Sequence, residues 1–126
     1  PAPAYSALVD ACTELSLPVM PLDMDEESYS NVYCNIIRTM ELLREGKLAR
    51  KAMKKKNFDM SSAEAFAVSW DAFVNDTKGF RELTRLREKY MANRIKLLSK
   101  NSKHMLAVIE TERVGGIVSL LREGRE

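Results

Sequence analysis

SSAEAFAVSWDAFVNDTKGFRELTRLREKYMANRIKLLSK, residues 61–100, decides the fold. Its opening, Ser61-Ser62-Ala63-Glu64, has the form of a capping box, in which a hydroxyl takes first-turn amides and a carboxylate reaches back. It predicts a helix to about Lys78, with Gly79 past its end. Phe66, Trp70, Phe73 and Val74 form a bulky side of this helix, and Ala65, Val68 and Ala72 a small one. A helix apolar nearly all round belongs in the middle of a bundle, so the Trp70 helix is expected to be central and enclosed. The next helix, about Phe80 to Lys100, separates its residues by chemistry. Phe80, Leu83, Leu86, Tyr90, Met91, Ile95, Leu97 and Leu98 cover one half, and Arg81, Arg85, Lys89, Lys96 and Lys100 form a ridge on the other.

Arg87 and Arg94 break that division, because they fall inside the apolar half. An unpaired guanidinium buried there costs several kcal/mol, so each must be paired or reach the edge. The plainer expectation is an internal ion pair with Asp71, Asp76 or Glu64 of the preceding helix. The sharper one is an open groove, rimmed by Arg87 and Arg94 with Tyr90 and Met91 beside them, that receives an acidic partner segment. The acidic N-terminal third could fill that role within the chain.

Upstream, a short helix is expected from about Ala4 to Ser16, stopped by Pro18. Leu17-Pro18-Val19-Met20-Pro21-Leu22 is apolar, yet two prolines hold it extended or turning. Asp23 or Asp25 then caps a helix with Tyr29, Val32, Tyr33, Ile36, Met40 and Leu43 on one stripe, spaced at about 100° per residue. Beyond Gly46 that stripe would become Lys47, Arg50, Lys51 and Lys54. Either the helix breaks at Gly46, or it overshoots the bundle and projects a basic face into solvent.

Downstream, Asn101-Ser102 caps a fifth helical segment from Lys103 to about Arg113, and Val114-Gly115-Gly116 reads as a hinge. Residues 105–121 hold enough β-branched side chains around the glycine pair to allow a β-hairpin instead. The fold expected is all-α, a single compact bundle of four to five helices over residues 1–126.

The chain has 126 residues, 45% apolar and 30% charged, enough to close one core and too apolar for disorder. No apolar run approaches the roughly 18–20 residues that cross a bilayer. Pro1-Ala2-Pro3-Ala4 opens the chain without methionine or the pattern of a secretory signal, which reads as a domain cut from a longer protein. Cys12 and Cys34 make no disulfide framework, and with one histidine they make no zinc set, so a cytoplasmic or nuclear setting is expected.

The net charge of +2 conceals blocks: −6 over residues 1–37, +6 over 38–56, −4 over 57–77, +7 over 78–104 and −1 over the tail. Such blocks most simply complement each other inside the fold, or else pool two basic segments on one surface.

Catalytic chemistry finds little here. His104, the sole histidine, is placed in a first helical turn without a nucleophile beside it, and Gly115-Gly116 lacks the spacing of a phosphate loop. No cofactor or metal site emerges. An exposed Cys34 reads as inert, and the seven methionines, Met40, Met53 and Met105 among them, read first as core filler.

The function expected is therefore a non-enzymatic interaction module, an adaptor docking a partner helix or peptide beside the 80–100 helix or near Pro18–Leu22. The rival is a binder of nucleic acid or another polyanion through Lys47, Arg50, Lys51, Lys54, Lys55 and Lys56 with Arg81, Arg85, Lys89 and Lys96.

Overall fold

The computed structural model describes residues 2–37, 39–55 and 58–123; within 39–55 the side chains of Thr39, Met40, Glu45, Ala52, Met53 and Lys55 fall outside the description. The expectations placed on the side chains of Met40, Met53, Lys55 and Lys56 therefore lie outside the described residues. Six helices and no strand are present among the described residues: α1 Pro3–Glu14, α2 Glu26–Ile36, α3 Thr39–Lys55, α4 Ala63–Val74, α5 Lys78–Ser99 and α6 Thr111–Glu123.

The centre is α5, which packs on α6 and α2, while α4 packs on α6. Met91 and Ala92 of α5 meet Ile117 of α6, with Leu22, Ile95, Ile109, Leu120 and Leu121 packed around them. Full burial of Met91 and of Ile117 contributes about 1.5–3 kcal/mol each.

Local chemistry sets most of the boundaries. Pro3 opens α1, where its missing N–H costs nothing. Ser16, at φ 54°, ends it in the left-handed region, and the Leu17 amide reaches back 2.8 Å to the Cys12 carbonyl. Asp25 caps α2 through the Ser28 amide at 2.7 Å. Ser62, not Ser61, caps α4 through the Ala65 amide at 3.0 Å, whereas Ser61 turns onto Asp59.

Four sequence expectations need correction. The stripe begun by Tyr29 does not continue to Leu43, because the chain leaves the helix at Ile37 (φ −81°, ψ 108°). That departure buries Ile37 to 6% exposure, while Leu43 of the next helix is 60% exposed. The helix then runs unbroken through Gly46, so α3 carries the basic cluster on a continuous helix.

Secondly, α4 ends at Val74, and Gly79 lies in the first turn of α5, not past the preceding helix. Its amide donates to Glu41 Oε1 of α3 at 2.9 Å, and a Cβ there would collide with that carboxylate. The negative charge also suits the N-terminal end of the α5 dipole.

Thirdly, Lys103–Arg113 is not a helix. Residues 102–110 are irregular, and α6 runs through Gly115-Gly116, so neither a hinge nor a hairpin exists there. Gly116 faces the Glu88 carboxylate, which occupies the space a Cβ would take, whereas nothing lies within 4 Å of a Cβ at Gly115. The second glycine is a point of close helix approach.

Finally, α4 is peripheral. Trp70 is 39% exposed, and no α4 residue is fully buried. The aromatic side chains cover one another instead: Phe58 from the preceding loop stands 5.3 Å from Trp70, 5.5 Å from Phe73 and 5.8 Å from Phe66 between ring centroids.

Candidate functional site

Exposed apolar side chains concentrate at one place. α1, the proline-bearing 17–22 segment, the C-terminal half of α5 and the irregular 102–110 segment enclose a groove of about 640 Å³. Leu8 and Val9 line it from α1, Pro18 and Met20 from the proline segment, Ile95 and Leu98 from α5, and Met105–Ile109 from the far side. Met91, 1% exposed, lies beneath its floor and offers a partner almost no surface of its own. Tyr90 is exposed and does not line the groove.

Neither long wall is helical or paired as a strand. Pro18 and Pro21 fix φ and remove amide donors from the first wall. Met105-Leu106-Ala107-Val108-Ile109 forms the second, and Leu106 on it is 84% exposed. Among the described residues, the backbone of Lys103–Ile109 makes no hydrogen bond within the chain.

The two arginines that interrupt the apolar half of α5 hold the first wall in place. Arg87 forms an ion pair with Asp23, its Nε donating at 3.2 Å to Oδ2, and its guanidinium stands 5.6 Å over the Tyr29 ring. Burial disfavours the Arg87 charge, but the Asp23 hydrogen bond and charge outweigh it and raise its pKa. Arg94 Nε donates at 3.4 Å to the Pro21 carbonyl. The partner of Arg87 thus comes from the acidic N-terminal third, not from Asp71, Asp76 or Glu64. Those arginines anchor the groove wall from behind.

A second polar assembly has no motif that marks it in the sequence. Arg113 of α6, only 8% exposed, pairs with Asp71 of α4 and lies 3.6 Å from Glu88 Oε1 of α5. Asn75 extends the set, donating to Asp71 at 2.9 Å and accepting from Thr84 at 2.7 Å. Burial pushes the Glu88 carboxyl above its ordinary range, against the opposing pull of Arg113. The available signal was phase: Arg113 stands four residues before Ile117, on the stripe that α6 buries.

A cleft of about 420 Å³ beside this set is lined by Tyr29, Phe66, Trp70, Phe80, Arg87 and Arg113. Both guanidiniums there are already taken by carboxylates, which leaves them as structural ties.

The basic ridge of α5 is largely spent within the fold. Arg81 donates to the Asn75 and Asp76 carbonyls at 3.0 Å each, Arg85 pairs with Glu82 at 3.1 Å, and Lys96 Nζ reaches the Leu120 carbonyl at 3.1 Å. Lys89 and Lys100 are exposed, with no side-chain partner among the described residues. On α3, by contrast, Lys47, Arg50, Lys51 and Lys54 share one surface recess.

His104 is exposed in the irregular segment rather than in a first helical turn, and lines the groove. Cys12 also lines it, half-buried, and Cys34 is exposed. No group of histidine, cysteine or carboxylate side chains among the described residues is arranged to hold a metal. None of the described helices is long and apolar enough to cross a membrane.

Comparison with protein-family models, with curated proteins and with solved structures finds no match to this chain.

Proposed function

We propose that this chain is a non-enzymatic protein-interaction module whose groove takes an extended, apolar segment of a partner protein. The observation that carries the reading is the Met105–Ile109 wall, an irregular apolar run whose backbone donors and acceptors make no hydrogen bond within the chain among the described residues. A partner strand laid beside it gains main-chain hydrogen bonds, while its alternate side chains enter the groove, as in recognition by strand addition. A groove of about 640 Å³ falls in the size range of binding clefts. A helical partner would leave those backbone groups unpaired.

Random peptides displayed on phage and selected against the folded chain test the reading. Selected peptides should carry apolar residues at alternate positions, bind almost independently of salt, and lose affinity at least about tenfold against Leu106→Asp, roughly the 1.4 kcal/mol that one buried contact supplies. Leu106 is almost fully exposed, so that variant should melt at the same temperature as the parent. Selected peptides that bind with unchanged affinity to Leu106→Asp would overturn the reading.

A further inference from the structure

Among the described residues, Lys47, Arg50, Lys51 and Lys54 of α3 tie no other element of the fold. Arg81, Arg85, Arg87, Lys96 and Arg113 each have an internal partner. Lys47, Lys51 and Lys54 have none among the described residues, and Arg50 only bonds its own helix, Nε to the Gly46 carbonyl at 3.1 Å. Among the described residues, these four side chains line a recess of about 320 Å³.

Helical geometry puts them on one face. Seven residues at 1.5 Å each spread the four charges over about 10 Å, within an arc of roughly 100°. Lys47 and Lys51 are four residues apart, as are Arg50 and Lys54, so like charges face each other and repel. A bound anion relieves that repulsion.

We infer that this face binds the phosphate backbone of duplex nucleic acid without regard to base sequence. A duplex presents one negative charge per roughly 1.7 Å of axis, dense enough to engage all four cations together, where a single phosphate would reach only one or two. Among the described residues no aromatic or amide side chain lines the recess, so none of them reads or stacks on a base there. An anionic membrane is the lesser match, because a helix lying in lipid needs bulky apolar side chains on its membrane side. Leu48 and Ala49, off the cationic arc, are half-buried, and Leu43 is the one large apolar side chain described within that arc. The inference is independent of the groove and stands or falls apart from it.

Fluorescence anisotropy with the whole chain and two unrelated 20-base-pair DNA duplexes tests it. Both duplexes should bind equally, and the slope of log K against log salt should lie near about −3 to −4, the value for about four phosphates neutralised. The triple variant Lys47→Glu, Lys51→Glu, Lys54→Glu should weaken binding at least about tenfold, with helicity checked by circular dichroism. Lys89→Glu on α5 should change affinity less than about twofold, because one exposed lysine outside the recess supplies no bound phosphate. Affinity unchanged in the triple variant would overturn the inference. So would no binding to either duplex at low salt, or binding to phosphatidylserine vesicles with none to DNA.

Discussion

Arg87 and Asp23, 64 residues apart in sequence, form an ion pair that fastens the proline-bearing wall of the groove to the longest helix of the fold. Leu22, the neighbour of Asp23, packs against the core made by Met91, Ala92 and Ile117. A partly buried charge pair thereby sets the position of an apolar surface.

Removing that pair should loosen the wall before it unfolds the domain. Arg87→Met leaves the Asp23 carboxylate without its guanidinium, and a lost charge-assisted contact of this partly exposed kind costs about 1–3 kcal/mol. Urea unfolding should register the loss, and hydrogen exchange should quicken first at residues 17–23. Unchanged stability and exchange would mean that Leu22 and the Arg94–Pro21 contact hold the wall without the ion pair.

The two adjacent glycines of α6 should respond with different signs. Gly115→Ala adds a methyl to open space in a helix interior and should stabilise by about 0.5–1 kcal/mol. Gly116→Ala gains the same propensity but displaces the Glu88 carboxylate, which Arg113 holds at 3.6 Å. It should fall below Gly115→Ala by about 1–2 kcal/mol in thermal or denaturant melts.

Stability should carry the mark of Glu88 in its pH dependence. Burial raises its folded pKa above the ordinary 4.5, so between those two values the folded chain binds more protons than the unfolded one. The Glu88 contribution to stability is therefore lost as pH rises from 4.5 through the raised value. Asp25, lowered by hydrogen bonds from Ser28, works in reverse: its contribution is lost as pH falls from 3.8 through the lowered value. Comparing melts of the parent and Glu88→Gln across pH 4.5 and above should show the parent's stability declining more steeply with rising pH.

Trp70, the only tryptophan, should behave as a surface residue. At 39% exposure its fluorescence should be quenched readily by acrylamide, and Trp70→Ala should cost less than the about 3–5 kcal/mol typical of an enclosed indole. A blue-shifted emission resistant to quenching would place α4 inside the bundle.

That misplacement of Trp70 shows where periodicity stops being informative. The wheel of α4 reports how apolar the helix is, but not what covers it, and Phe58 in the preceding loop supplies cover that a wheel cannot count. The all-α class, the approximate extent of α1, a cap at Asp23 or Asp25 and the Tyr29–Ile36 stripe were legible because each rests on local spacing. The break at Ile37 was not, since it is settled by tertiary burial of one side chain. Residues 102–110 were not legible for a related reason: Asn101-Ser102 can cap a helix, yet the run is irregular and Ile109 packs beside the core. Of the candidate site, the sequence located Pro18–Leu22 and the unusual phase of Arg87 and Arg94. It could not bring them to one groove, because the contacts from Arg87 to Asp23 and from Arg94 to Pro21 span 64 and 73 residues.

Amide hydrogen exchange of Met105–Ile109, followed with and without a selected peptide, bears most directly on docking by strand addition. Binding should slow exchange at alternate amides of this run, the ones turned toward the added strand, while the cationic face of α3 is unaffected. Amides that exchange as fast in the complex as in the free chain, while protection appears elsewhere, would contradict it.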